Sequence, residues 1–259
     1  MHLFFIGSVM YKELLEQYNN LTEEERKSLF VYKTQFFDLI NSVISISDFR
    51  ELSVDTIIKL LNDNVLKNTL NFGKIISKPN NVVIKYSYFN DVDFSNYESI
   101  ISKVFKVYDN LSNVFNHKKM ILPTDFTVYR VVCLSRDNEL QDMSRGEFVS
   151  ASIDLDSALE FVSGNNIVVY KINLMKGTPV VATPYSVINV YFTEADKLLR
   201  TSNYNIKVSK TESFGQQEVL FSKNLIDYDI KLLKSNNIDG KKISIYEVNT
   251  SVKCYNKKN

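Results

Sequence analysis

The chain has 259 residues, is 44% hydrophobic, and carries 31 Lys and Arg against 30 Asp and Glu, values typical of a globular protein. A net charge of +1 argues against a protein held on nucleic acid by bulk electrostatics. Two cysteines and two histidines make neither a disulfide framework nor a metal-ligand cluster, so no metal is expected.

The N-terminal residues are apolar but lack a basic leader, and they run directly into the charged stretch Tyr11-Lys12-Glu13. A signal peptide is therefore not expected. No apolar run approaches the ~18–20 residues that a membrane span needs. Free thiols fit a reducing compartment. Together these points predict a cytoplasmic protein, in a bacterium or, if the protein is delivered, in the cytosol of a target cell.

Helical patterns fill the first part of the chain. The stretch Thr22-Glu23-Glu24-Glu25 has the spacing of a capping box, and apolar residues with mostly helical spacing follow it. Ser53 is placed to cap a further helix. Ser95-x-x-Glu98 is a second capping box, followed by apolar residues at steps of three and four. The run Val82-Val83-Ile84 is a candidate for a short strand in this region.

The pattern changes at Pro123, where the apolar runs become short, β-branched and bounded by turn residues, as in strands. Helices are expected near residues 155–163 and 193–201. Strands are expected near residues 126–134, 146–152, 167–174, 178–182, 216–221 and 243–249. The sequence thus predicts an α+β protein with a helical N-terminal region and a β-rich remainder.

One arginine, Arg130, stands inside the apolar strand Val128–Val132. Burying a guanidinium costs free energy unless the group is paired, so this position needs an explanation. Two structural explanations are an edge strand that exposes the arginine to solvent and a structural ion pair.

Two polar pairs lie on later strands. Ser150 and Ser152 alternate, so they share a face of their strand, and Gln216 and Glu218 share a face of theirs. Taken alone, each pair is typical of the solvated face or edge of a strand.

In this order, Tyr129-Arg130, Ser150-Ala151-Ser152 and Gln216-Gln217-Glu218 resemble the Arg–Ser–Glu branch of the mono-ADP-ribosyltransferases. The segment Phe148–Gly164 also resembles the small transferases of T-even bacteriophages, and Val168–Val181 resembles the strands that follow it in the family. The resemblance implies an α+β fold with a two-sheet ADP-ribosyltransferase β-core. On this basis we expect a catalytic domain over residues 91–259 and an N-terminal helical extension over residues 1–90.

The resemblance implies that NAD⁺ is a substrate and gives four residues a role. Arg130 would hold the pyrophosphate of NAD⁺ as a bidentate donor. Ser150 would hydrogen-bond Glu218 and fix its rotamer, while Ser152 would shape the nicotinamide side. Glu218 would accept a hydrogen bond from a ribose hydroxyl and stabilise positive charge at the anomeric carbon.

By the same resemblance, the remaining candidate residues would line the nicotinamide pocket or face the acceptor. Tyr129 and Phe161 are candidates for the pocket lining. Gln216 would orient the acceptor, because an amide cannot act as a base but can orient another amide or a nucleobase. Family members with Gln-x-Glu include clostridial exoenzymes that modify an asparagine of Rho GTPases and pierisin-like toxins that modify guanine, so arginine is the less expected acceptor. Phe214, a candidate for acceptor recognition, is one step later than the aromatic residue of those relatives.

The leading hypothesis is transfer of ADP-ribose from NAD⁺ to a macromolecular acceptor, either a protein side chain or a nucleic-acid base. An intracellular toxin or a phage-defence or phage-related effector would fit, and a toxin of a toxin–antitoxin module would have an antitoxin or inhibitor protein as a partner. No membrane partner is expected. One alternative is an NAD⁺ glycohydrolase that uses water as the acceptor, and another is a non-catalytic interaction module that retains the fold.

Overall fold

The described helices begin with α1, His2–Tyr18, and continue with α2, Glu23–Val31, α3, Phe37–Ile44, α4, Val54–Leu60, α5, Tyr97–Asn116, and α6, Leu155–Leu159. The structure is a computed structural model that describes residues 2–32, 36–66, 91–116, 120–134, 142–144, 146–159, 164–183, 218–238 and 240–253. The chain forms two compact units, which are taken in turn below. None of the described helices is long and apolar enough to cross a membrane.

The helical unit comprises the described residues of Leu21–Val114. Its α2 begins with the predicted capping box, in which the Glu25 amide donates to Thr22 Oγ1 and the Thr22 amide donates to Glu25 Oε2. The Ser53 cap of α4 is also confirmed, because the Ser53 hydroxyl accepts from the Thr56 amide.

The second predicted capping box is wrong in its register. The amide of Glu98 donates to the side chain of Asn96 over 2.8 Å, and α5 begins at the next residue, Tyr97. Ser95 instead donates through its amide and its hydroxyl to Asp93. An asparagine is as good an N-cap as a serine, so local geometry decided between the two.

The second unit comprises the described residues of Met1–Asn20, Phe115–Pro184 and Phe214–Asn259. It contains a seven-stranded sheet in the order β4-β5-β2-β1-β3-β7-β6. The strands are β1, Phe126–Cys133, β2, Phe148–Ser152, β3, Asn166–Leu174, β4, Val180–Thr183, β5, Glu218–Ser222, β6, Ile226–Ile238, and β7, Lys241–Val252. Helices and a sheet together confirm the α+β class.

The sheet has two parts, β4-β5-β2 and β1-β3-β7-β6. They meet at one described pair of residues, Tyr129 of β1 and Ser152 of β2. Every other pair of neighbouring described strands shares at least four such residue pairs. This division corresponds to the two-sheet β-core that the sequence resemblance implies.

Side chains from both parts of the sheet pack into one hydrophobic cluster. The β4-β5-β2 part contributes Val149, Ala151, Val180, Ala182, Val219 and Phe221, and the other part contributes Val128, Val168, Tyr170, Ile172 and Val248. Met10 and Leu14 of α1 belong to the same cluster. They are four positions apart and therefore lie on one face of the helix.

Two elements of this unit are missing from the sequence prediction. No element is predicted over α1, and none over β6, whose thirteen residues are almost all exposed. Strand β6 pairs with β7 across a two-residue connection that contains Gly240 at φ +75°. Its first residues do alternate, with the apolar side chains at Ile226, Tyr228, Ile230 and Leu232, and the sequence prediction missed this pattern. The predicted strand 82–84, the helix near 193–201 and the expected residues 160–163 of α6 lie outside the described residues.

Candidate functional site

One row of cross-strand partners crosses the whole sheet, with one residue from each strand. Cross-strand partners present their side chains on the same face, and every member of this row is polar or ionisable. In sheet order the row is Thr183, Glu218, Ser152, Tyr129, Lys171, Glu247 and Lys231. The predicted site residues Tyr129, Ser152 and Glu218 are therefore neighbours on three adjacent strands.

The first three members of the row, Thr183, Glu218 and Ser152, are buried. Glu218 is only 6% exposed, and a carboxylate at such a position is costly unless hydrogen bonds satisfy it. The Thr183 hydroxyl donates towards Glu218, with Oγ1 lying 3.4 Å from Oε2 and 3.4 Å from the carbonyl oxygen. The structure thus holds a carboxylate inside the sheet, among hydroxyl-bearing residues.

The Ser152 hydroxyl is fixed where β2 ends. Its Oγ accepts a hydrogen bond from the Asp154 amide over 3.1 Å. The Asp154 carboxylate in turn accepts from the Ser157 amide over 2.8 Å, in the first turn of α6. The turn between β2 and α6 therefore orders the serine that lies opposite Glu218.

Arg130 lies on β1, which is a central strand between β2 and β3, so the edge-strand explanation is wrong. Its side chain is part-buried, and Nη1 donates to the carbonyl oxygen of Ser150 over 2.7 Å. Burial raises the pKa of the neighbouring Tyr170 above its usual range, and the positive charge of Arg130 acts in the opposite direction. Because Arg130 belongs to β1 and Ser150 to β2, the hydrogen bond between them links the two parts of the sheet at their junction.

Ser150 lies on the same face of β2 as Ser152, but its cross-strand partner is Leu220 rather than Glu218. Ser150 and Glu218 are consequently diagonal neighbours, a separation that polar side chains can bridge. The hydrogen bond predicted between Ser150 and Glu218 remains a prediction.

The exposed end of the row is a network of charged side chains. Lys171 Nζ lies 3.0 Å from Glu247 Oε1, and the side-chain amide of Asn173 donates through Nδ2 to the same oxygen over 3.3 Å. The hydrogen bond from Lys171 is the main cause that holds the pKa of Glu247 below its usual range. The two side chains of this ion pair are only partly buried, and ion pairs that remain in contact with solvent contribute little to stability. This network therefore differs from the buried end of the row.

A second polar cluster anchors the described segment that precedes β2. The Asp142 carboxylate binds Lys223 Nζ and accepts a hydrogen bond from the Tyr228 hydroxyl, while its carbonyl accepts from Tyr170. Burial, followed by the bond to Asp142, raises the pKa of Tyr228 to about 12. Lys223 also donates to the carbonyl of Ser144 over 2.7 Å.

Thr183, which contacts Glu218, and Tyr11, which contacts Thr183, are absent from the sequence prediction of the site. The Tyr11 hydroxyl donates to the carbonyl oxygen of Thr183 over 2.9 Å. A signal for Thr183 exists in the sequence, because it is the polar last residue of the apolar strand Val180–Thr183. No local pattern marks Tyr11, which lies on a helix far away in the chain.

Three predicted site residues, Phe161, Phe214 and Gln216, lie outside the described residues. Their roles at the nicotinamide pocket and towards the acceptor therefore stay predictions. Of the predicted site residues, the structure describes Arg130, Tyr129, the two serines of β2, and Glu218.

No protein-family model and no curated protein matches the chain. Among solved structures it is similar to the ADP-ribosylating toxin BECa of C. perfringens with NADH, at 13% identity, with a TM-score of 0.43 and coverage of 98% of this chain and 48% of that one. The chain thus spans about half the length of BECa.

The chain is also similar to the toxin Plx2a from Paenibacillus larvae, at 14% identity over 97% of both chains with a TM-score of 0.44. A third similar structure is C3stau2 from S. aureus with NAD, at 13% identity over 96% of both chains with a TM-score of 0.42.

Proposed function

We propose that the protein transfers ADP-ribose from NAD⁺ to a macromolecular acceptor, using Arg130, Ser150 and Glu218. The observation that carries the proposal is the placement of these residues on the adjacent strands β1, β2 and β5, with Arg130 bound to Ser150 and Glu218 buried opposite Ser152. They are the three residue types of the sequence resemblance, and they come from distant parts of the chain.

Glu218 is the residue proposed to drive bond cleavage. When the glycosidic bond breaks, its electron pair leaves with nicotinamide, and positive charge develops on the ribose carbon and ring oxygen. A carboxylate that is already in place stabilises that charge most where the transition state develops it. The acceptor then forms a bond to the anomeric carbon and loses its proton.

Arg130 is proposed to bind the pyrophosphate. The guanidinium is planar and has five N–H donors, and the bond from Nη1 to Ser150 fixes the plane of the group. A fork of donors in a fixed plane matches the oxygens of a diphosphate better than a lysine ammonium does. The arginine thus couples the position of NAD⁺ to the strand that carries Ser150 and Ser152.

The acceptor is proposed to be a protein amide or a nucleobase, oriented by Gln216 with Phe214. Tyr129 and Phe161 are proposed to line the nicotinamide pocket, and residues 91–259 to form the catalytic domain. In this proposal the protein is a cytoplasmic toxin or a phage-defence or phage-related effector, and an antitoxin or inhibitor is a further partner.

The decisive experiment follows labelled NAD⁺ in a cell lysate, with and without nuclease or protease. Replacing Glu218 by Gln removes the charge but keeps the shape. We expect the loss of about 3–5 kcal/mol of transition-state stabilisation, which lowers turnover on the order of 10²–10⁴-fold. The matched control is Glu247→Gln, the same change in the same cross-strand row, which should retain activity. Full activity of Glu218→Gln would reject the proposal.

The destination of the label separates the alternatives. Label that is removed by protease or by nuclease identifies a protein or a nucleic-acid acceptor. Release of free ADP-ribose without labelled macromolecules would identify an NAD⁺ glycohydrolase, which needs the same residues. Absence of NAD⁺ turnover in the unmodified protein would favour a non-catalytic module.

A further inference from the structure

The hydroxyl of Thr183 is a buried group that contacts Glu218. Thr183 is the last residue of β4, is 1% exposed, and lies directly opposite Glu218 on β5. Its Oγ1 is within 3.4 Å of both Oε2 and the carbonyl oxygen of Glu218. A threonine hydroxyl has one proton to donate, and an ionised carboxylate is the stronger acceptor of the two.

Helix α1 fixes the backbone of Thr183 from its other side. The Tyr11 hydroxyl donates to the Thr183 carbonyl over 2.9 Å. Met10 and Leu14, on either side of Tyr11 in the helix, belong to the same buried cluster as Ala182 of β4. Burial raises the pKa of Tyr11 well above its usual range, so the hydroxyl also remains a donor in alkaline solution.

We propose that Thr183 is a positioning residue, which holds the Glu218 carboxylate in its working orientation and is itself held by Tyr11. A glutamate has three side-chain torsions, and ordering them in the buried site requires directional contacts. Small displacements matter, because misplacing a catalytic group by about 1 Å can cost about 10²-fold in rate. This role rests on the proposed function of Glu218.

Thr183→Val tests the role, because valine keeps the shape of threonine and removes the hydroxyl. We expect kcat for NAD⁺ turnover to fall about tenfold or more, as for the loss of one hydrogen bond to a charged group, while KM for NAD⁺ stays within about twofold. Thr183→Ser should restore kcat to within about threefold. Tyr11→Phe should lower kcat in the same direction by a smaller factor, and it serves as the second variant should Thr183→Val not fold.

The matched control is Thr178→Val. Thr178 is also fully buried, but its hydroxyl donates to the Met175 carbonyl in the turn before β4. The same chemical change there should leave kcat unchanged. If Thr178→Val lowered kcat as much as Thr183→Val, a general packing defect would explain the loss, and the positioning role would be overturned.

Crystal structures of Thr183→Val and Thr183→Ser provide a readout that does not require turnover. The Glu218 carboxylate should be displaced in the valine variant and stay in place in the serine variant. Two results would overturn the role of Thr183 and leave the proposed function standing. One is a Glu218 carboxylate that is not displaced in Thr183→Val. The other is an unchanged kcat in Thr183→Val when Glu218→Gln is inactive. Absence of turnover in the unmodified protein would overturn the proposed function, and the carboxylate position would then decide the positioning role alone.

Discussion

At the scale of single residues, the site depends on how two ionisable side chains are held within a sheet. Glu218 is buried among hydroxyl-bearing residues, and Arg130 is part-buried with a backbone carbonyl as a hydrogen-bond partner. In both cases fixed dipoles take the place of water. A group that is fixed before the substrate arrives does not need to reorganise during the reaction.

Arg130→Lys tests the bidentate role of the arginine. Lysine keeps the positive charge but loses the planar fork, so we expect KM for NAD⁺ to rise about tenfold or more. Loss of the bond to the Ser150 carbonyl should also lower the free energy of unfolding by about 1 kcal/mol. The checks are steady-state kinetics with NAD⁺ and urea unfolding.

The control for this variant is Arg50→Lys in the helical unit, where the arginine pairs with Asp109 and lies over the rings of Phe49 and Tyr108. It should leave KM unchanged. An Arg130→Lys protein with unaltered KM would show that the arginine does not bind the pyrophosphate.

At the scale of elements, the start of a helix can be predicted from the sequence when its capping residues lie close together in the chain. The amide and the side chain of Thr22 each contact Glu25, and Glu25 is buried despite its charge. A reciprocal cap of this kind gives the backbone N–H groups of Thr22 and Glu25 their hydrogen-bond partners within four residues of sequence. The start of α2 is therefore encoded locally.

Thr22→Ala removes this cap. We expect the free energy of unfolding to fall by about 1 kcal/mol, within the range of about 0.5–2 kcal/mol for N-cap substitutions. Thr22→Ser keeps the hydroxyl and should lose only a small part of that. Urea unfolding followed by circular dichroism measures both variants, and equal losses in the two would contradict the capping role.

At the scale of the whole molecule, three tyrosines link stability to alkaline pH. Burial raises the pKa values of Tyr11, Tyr170 and Tyr228 in the folded chain, to about 12 for Tyr228. A free tyrosine loses its proton near pH 10. Between these values the unfolded chain binds fewer protons than the folded chain, so stability falls as the pH rises.

We therefore expect the contribution of Tyr228 to the free energy of unfolding to be constant below about pH 10 and to decline from there towards pH 12. Urea unfolding at a series of pH values measures the decline. Tyr228→Phe should make it shallower, because it removes the hydroxyl that donates to Asp142, whereas Tyr97→Phe on α5 should not. Identical slopes for the unmodified protein and Tyr228→Phe would contradict the link.

The sequence by itself determined the α+β class, the caps of α2 and α4, and the approximate positions of β1 to β5 and β7 within the described residues. These features depend on interactions within a few residues, such as caps, apolar alternation and turn residues. The sequence also singled out Arg130, Ser150, Ser152 and Glu218, since their order along the chain resembles a known pattern.

Only the tertiary structure decided that β1 is central, that the two parts of the sheet meet at Tyr129 and Ser152, that Thr183 contacts Glu218, and that Tyr11 contacts Thr183. It also decided that Ile226–Ile238 lies at the end of the described sheet, paired with β7 and with little burial of its own. The physical reason is the same in each case. Pairing between strands joins residues that are distant in the chain, and no local pattern of side chains records which strands will become neighbours.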